Sequence, residues 1–307
     1  MTKILVTGND GFVGSNLIDC FIENEPDTEI IGLSKKTIAS NDIKHNFKQY
    51  SADINDIINL NEILNAEKPS WIIHLAAEAD VSRSYQYPYD FLKVNTEGTF
   101  NLLEWLKHNK ETKLVHFSTD EVFGEVLNAK ETDRLNPLNP YSASKASAEA
   151  FISAYNKAYN IHTIVFRPYN IFGAYQKPNR LFSKIITNAV ADKPFNLFKE
   201  TQEHKRGWIY VKNIYYAVRL LMDKGIAGES YNMEYDAHLS VADINDSILK
   251  IMGKESLFKG YMEIPPRAKD DIFYSLDSTK IRELGYKPRY TFEEGLKETI
   301  DYYKGIK

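Results

Sequence analysis

A chain of 307 residues with a net charge of −4 and a single cysteine is long enough to bury a large core without disulfide or metal staples. The lone thiol, Cys20, excludes a disulfide framework within the chain and a cysteine-rich zinc site, and it reads as a small buried side chain. The mild acidity and the absence of any block of like charges argue against nucleic acid as a partner. No apolar run reaches membrane-spanning length, so a soluble, cytoplasmic protein is expected.

In chain order, short apolar runs alternate with amphipathic stretches. Strands are predicted at Ile4–Thr7, Ile30–Leu33, Trp71–Leu75, Leu114–Phe117 and Thr163–Phe166, each apolar on both faces as buried parallel strands are. Helical patterns fill the gaps near Val13–Asn24, Ile54–Asn65, Phe91–His108 and Ser144–Tyr159. This alternation predicts right-handed βαβ crossovers and an α/β fold with a doubly wound parallel sheet. Residues 1–168 are read as a dinucleotide-binding domain. Residues 169–307 are read as a smaller, mainly helical lobe, from which 208–236 returns to the sheet through a helix at Val211–Asp223 and a strand at Ser230–Met233.

The first βα junction reads TGNDGFVG, with Gly8, Gly11 and Gly14 spaced three apart. Such a turn lets the backbone approach a pyrophosphate, whose charge then sits at the helix N-terminus. The end of the second strand reads GLSKKT, without the acid that commonly takes the adenosine ribose of NAD. Ser34, Lys35, Lys36 and Thr37 offer cationic and hydroxyl groups to a ribose 2′-phosphate, which leans the expectation for NAD(P) toward NADP. Asp53 is an adenine neighbour by position. The seven scattered histidines show no metal-ligand spacing, and His74 and His116 read as packed inside strands.

Tyr141 and Lys145 form Y-x-x-x-K at the start of a helix. Four residues apart, they share one helix face, so the ammonium can lower the phenol's pKa and hold a nicotinamide ribose. A tyrosine so tuned can take a proton from a sugar alcohol while the adjacent carbon is oxidised.

These motifs resemble the extended short-chain dehydrogenase/reductase family. The segments HLAAEADVSRS (74–84), VNTEGTFNLLE (94–104), RPYNIFG (167–173), RGWIYV (206–211) and PRAKDDIFYSLD (266–277) follow its nucleotide-sugar branch nearly end to end. The resemblance implies a Rossmann domain, a lobe that binds a nucleoside diphosphate hexose, and a homodimer built by helix pairing. The cofactor candidates are then Gly8, Gly11, Phe12, Val13 and Gly14, Ile54, Leu75, Ala76 and Ala77, and Tyr141 and Lys145, together with Ser34, Lys35, Lys36 and Asp53 from their positions after strands two and three. The resemblance places the substrate phosphates and sugar on Ser118, Asn170 and Arg206, with Arg180 and Arg267 as further candidates.

The segment STDEVFG at 118–124 resembles the Thr-Asp-Glu signature of the 4,6-dehydratases that act on dTDP-glucose. By that resemblance Thr119 polarises the sugar hydroxyl, Glu121 is the base for carbon 5, and protonated Asp120 is the acid for the hydroxyl leaving carbon 6. Adjacent carboxyls raise one another's pKa, which keeps a proton at hand near neutrality. Departures from those enzymes are Ala79-Asp80 in place of serine and histidine, the absent strand-two acid, and FKETQEHK (198–205) before Arg206; dTDP, UDP and GDP all stay open. A 4-epimerase of the same family, with the acids as bystanders, and a non-catalytic cofactor-binding sensor are the competing readings.

Overall fold

The computed structural model describes residues 2–36, 47–198, 205–234, 238–263 and 275–305. Its strands are β1 (Lys3–Thr7), β2 (Glu29–Ser34), β3 (Phe47–Ser51), β4 (Trp71–His74), β5 (Lys113–Phe117), β6 (Thr163–Pro168), β7 (Asn170–Phe172), β8 (Phe195–Phe198), β9 (Lys205–Tyr210), β10 (Ser230–Met233), β11 (His238–Ser240) and β12 (Phe258–Met262). Its helices are α1 (Phe12–Asn24), α2 (Ile57–Glu67), α3 (Val81–Gln86), α4 (Pro88–Phe91), α5 (Gly98–Leu106), α6 (Pro140–Tyr159), α7 (Leu181–Val190), α8 (Val211–Lys224), α9 (Val241–Met252), α10 (Thr279–Glu283) and α11 (Phe292–Tyr303).

Seven strands form one sheet in the order β10-β6-β5-β4-β1-β2-β3, and every neighbouring pair is parallel. This is the doubly wound sheet expected from the alternating pattern. Side chains alternate across it, as a pleated strand requires. Ile4, Val6, Ile73, Val115 and Phe166 pack under α1 and α8, whereas Leu5, Ile31, Ile72 and Leu114 pack under α2, α5 and α6. Edge strand β3 is only half-buried and lacks the two-sided apolar run of the others. The connections reverse direction at β1, so a crevice opens between the carboxyl ends of β1 and β4, the ordinary ligand position in such sheets.

A separate apolar cluster joins Phe172, Phe182, Trp208, Ile244 and Phe292, with Phe172 and Phe182 stacked at 4.5 Å between ring centroids. Helices α7, α9 and α11 cover two small sheets, β11-β9-β7 and β12-β8. These strands have three to six residues each, too short for periodicity to announce. Three helix starts differ from the sequence expectation, the first being α2, which begins at Ile57 behind an Asp56 cap rather than at Ile54. The helix expected at Phe91 opens with a π turn over Leu92–Glu97, and α6 begins at Pro140 rather than Ser144, where proline is preorganised for a first turn and Asn139 caps it. Among the described residues no helix is long and apolar enough to cross a membrane.

Candidate active site

The crevice is floored by the glycine turn. Gly8 has φ +69°, and a Cβ there would stand 2.8 Å from the backbone nitrogen of Ala76. A Cβ on Gly14 would stand 2.3 Å from the carbonyl oxygen of Gly8, so α1 starts directly against the turn. Gly11 caps α1 with no side-chain hydrogen bond, and the first turn carries no acid. The helix therefore presents amide donors and a partial positive charge to the crevice. The half-buried side chains of Phe12 and Val13 pack against the Phe172 cluster and the main core respectively.

Opposite the turn, the amides of Leu75 and Ala76 donate to the Thr7 hydroxyl at 3.2 and 3.1 Å; Ala76 and Ala77 stay partly exposed. Thr7 Oγ1 also meets His74 Nδ1 at 2.7 Å, and burial with the Lys145 charge pushes His74 down to about 3. His74 is thus a neutral, packed group. Asn95, in the π turn, accepts from the Glu78 amide at 2.8 Å and donates to the Glu78 carbonyl at 2.9 Å and the Ser144 hydroxyl at 2.8 Å. One side chain ties the loop after β4 to α6 next to Lys145. The sequence reading passed over Asn95, although an irregular helical turn is a frequent mark of a functional site.

At the end of β2 two of the groups expected to meet a 2′-phosphate, Ser34 and Lys35, have partners within the protein, and Lys36 is exposed. The Ser34 hydroxyl donates to the Lys36 carbonyl at 2.6 Å, and Lys35 pairs with Asp53 at 3.0 Å. Burial works against the Asp53 carboxylate, but the Asn55 amide and Lys35 outweigh it and hold its pKa below the usual range. Ile54 is core, seated against Gly98 of α5. Thr37 lies outside the described residues.

The catalytic candidates converge at the carboxyl end of β5. Thr119 leaves the strand in extended conformation and its hydroxyl accepts from the Glu121 amide, so Asp120 and Glu121 form the first turn of a short 3-10 helix. Thr119 donates to Asp120 Oδ1 at 3.0 Å. Asp120 Oδ2 is buried with no hydrogen-bond partner among the described residues. Burial, reinforced by the Glu121 charge, pushes the Asp120 carboxyl up to about 8, against the influence of Thr119 and Arg206. It therefore carries a proton at neutrality.

Tyr141 shares this environment. Burial and then the Glu121 charge push its phenol above the usual range; a hydrogen bond with Thr119 and the Arg180 charge act the other way. The lowering influences on the phenol are Thr119 and Arg180. Lys145 is itself buried, which pulls its ammonium down to about 8 while Glu149 acts in the opposite direction. Ser118, also buried, has a hydroxyl without a partner among the described residues.

The substrate end is partly assembled. Arg206 acts electrostatically on both Asp120 and Tyr169, the latter part of the main core. Asn170 on β7 keeps a buried amide nitrogen with no partner among the described residues. Arg180, at the start of α7, joins the site through its effect on Tyr141 and lies 3.8 Å from Asp80. Arg267 lies outside the described residues. Sequence reading also missed Asn139, although an asparagine before proline at a helix start is a capping signal.

A family model described as GDP-mannose 4,6 dehydratase matches residues 5–299. A dTDP-glucose 4,6-dehydratase of Haemophilus influenzae is 34% identical over 334 residues, covering 99% of this chain and 98% of its own. Among solved structures, a dTDP-glucose 4,6-dehydratase of Streptomyces venezuelae with NAD bound superposes with a TM-score of 0.89 at 30% identity, covering 99% of this chain and 97% of its own. A UDP-glucose 4-epimerase of Thermotoga maritima with UDP-glucose gives a TM-score of 0.89 at 29% identity, covering 99% of each chain. A model spanning nearly the whole length, together with a full-length relative above the level at which folds diverge, identifies the chain as a member of the GDP-mannose 4,6-dehydratase family, within the extended short-chain dehydrogenases/reductases.

Proposed function

We propose that the protein is a nucleotide-sugar 4,6-dehydratase, which converts a nucleoside diphosphate hexose into its 4-keto-6-deoxy form. The observation that carries this reading is the pair Asp120 and Glu121 beside Tyr141, with Asp120 held protonated at neutrality by burial. Epimerisation needs no such acid and base pair; loss of water across two carbons needs both.

The crevice fits a dinucleotide: the glycine turn leaves no room for a Cβ, and the uncapped start of α1 suits a pyrophosphate. Gly8, Gly11 and Gly14 would hold the phosphates, and Tyr141 with Lys145 the nicotinamide ribose. When bound, the nicotinamide supplies oxidation at carbon 4 and the matching reduction at carbon 6. The lean toward NADP gains no support, since Lys35 is paired with Asp53 and Ser34 with its own turn, and a similar structure carries NAD. We take NAD as the cofactor.

Tyr141 takes the proton of the carbon-4 hydroxyl, with Thr119 and Arg180 favouring the phenolate. The ketone at carbon 4 acidifies the hydrogen on carbon 5, which Glu121 removes as a proton. Asp120 gives its proton to the carbon-6 hydroxyl, which departs as water. Arg206, Asn170 and Arg180 would meet the diphosphate, in a lobe formed by residues 169–307, and the enzyme would act as a homodimer in the cytoplasm. The test is incubation with dTDP-, UDP- and GDP-hexoses. A product lighter by one water supports dehydration; a product of unchanged mass with carbon 4 inverted would establish the epimerase instead.

A further inference from the structure

Asn139 stands between the two halves of the catalytic apparatus. Its Oδ1 accepts the Ser142 amide at 2.8 Å, and the Ser142 hydroxyl returns to the Asn139 amide at 3.2 Å, closing a capping box on α6. With the oxygen so committed, the amide nitrogen has one direction left, and it donates to Glu121 Oε2 at 2.8 Å. Asn139 is buried and only two residues before Tyr141. The same side chain therefore ends the helix that carries the tyrosine and grips the carboxylate on the 3-10 turn.

We propose that Asn139 is a positioning residue for the elimination step, locking the Glu121 carboxylate to the first turn of α6 so that base and tyrosine keep one geometry. The proposal rests on the dehydratase reading for its consequence, but not for its physical content. A cap alone needs only an oxygen acceptor, which serine, aspartate and asparagine supply about equally well. Asparagine accepts from Ser142 on Oδ1 and donates to Glu121 from Nδ2; ionised aspartate has no donor, and serine would have to do both from one hydroxyl oxygen on a shorter side chain. An amide donor also favours the ionised carboxylate, the form a base must have; the Glu121 charge in turn acts on Asp120 and Tyr141, two titratable groups that face it.

Cap-preserving variants separate the two roles. In Asn139→Ser and Asn139→Asp the melting temperature should stay close to that of the parent protein. Wash-in of solvent deuterium at carbon 5 and water loss should slow about tenfold to hundredfold in the serine variant, the value of one hydrogen bond to a charged group. The aspartate variant, which sets a second carboxylate against Glu121, should slow further. The substrate KM should stay unchanged, and the near-ultraviolet absorbance of reduced nicotinamide should persist during turnover because oxidation at carbon 4 outruns elimination. Unchanged elimination in both stable variants would overturn the proposal.

A measurement without substrate tests the contact itself. The carboxyl carbon of Glu121, observed by 13C NMR and assigned through Glu121→Gln, should titrate about one pH unit higher in Asn139→Ser and higher again in Asn139→Asp. An unmoved titration overturns the contact. A shifted titration in a protein that removes water from no hexose retains the contact and rejects the dehydratase reading.

Discussion

Arg167 reaches from β6 to clasp Glu149 on α6, Nε to Oε1 at 2.9 Å and Nη2 to Oε2 at 2.5 Å, with both side chains about 95% buried. Its guanidinium also lies over the Phe123 ring, 4.9 Å from the centroid, so the pair joins the catalytic helix to the 3-10 turn of the acids. Removing one partner strands a buried charge. Arg167→Met should cost about 3–5 kcal/mol of stability in chemical denaturation, while Arg167→Met with Glu149→Leu should recover most of it. A single variant as stable as the double one would show that the pair bears no such strain.

The proton on Asp120 sets a pH limit. In its proposed role as the acid for the departing hydroxyl it must be protonated, so water loss should decline as pH rises through about 8. The folded state raises this pKa above its unfolded value of 3.8 and so binds more protons than the unfolded chain between those limits. Asp120 therefore contributes its stability fully below the unfolded pKa, and loses it as pH rises toward about 8. Asp120→Asn should flatten this part of the stability profile and abolish the alkaline limb of the residual activity; stability curves that remain parallel would refute the assignment.

Glu121→Gln keeps the shape of the site and removes the proposed base. Elimination and solvent exchange at carbon 5 should drop by roughly 10²–10⁴, whereas oxidation at carbon 4, read by reduced nicotinamide, persists. Tyr141→Phe should instead suppress oxidation itself. Equal loss of both readouts in both variants would dissolve the division of labour between the residues.

The cofactor turn admits no methyl group at Gly14. Gly14→Ala must move the Gly8 carbonyl or the start of α1, at about 1–3 kcal/mol of overpacking. Calorimetric titration should show NAD affinity lost along with the fall in melting temperature. Retained affinity would mean that the dinucleotide lies elsewhere.

Lys35 tests the choice of cofactor. An exposed ion pair such as Lys35 with Asp53 is worth about 0–1 kcal/mol, so Lys35→Ala should leave the Kd for NAD within about fivefold. A loss confined to NADP, with NADP the tighter ligand of the parent protein, would return the lysine to phosphate recognition.

Much of this molecule is legible without coordinates. The two-sided apolar runs require strands buried on both faces, and their alternation with helical stretches leaves a doubly wound sheet as the natural way to cover them. Glycine spacing at the first junction and Tyr141-Lys145 at a helix start mark the proposed cofactor turn and the proposed proton carrier, because both depend on residues close in sequence. STDEVFG likewise places Thr119, Asp120 and Glu121 on one turn. Tertiary structure alone decides what each of these groups is chemically. Burial and the neighbouring Glu121 put the proton on Asp120, Asp53 takes Lys35, Arg180 acts on Tyr141, and Asn139 holds Glu121 from eighteen residues away in the chain. These depend on desolvation and on distances across the fold, which no local pattern of residues encodes.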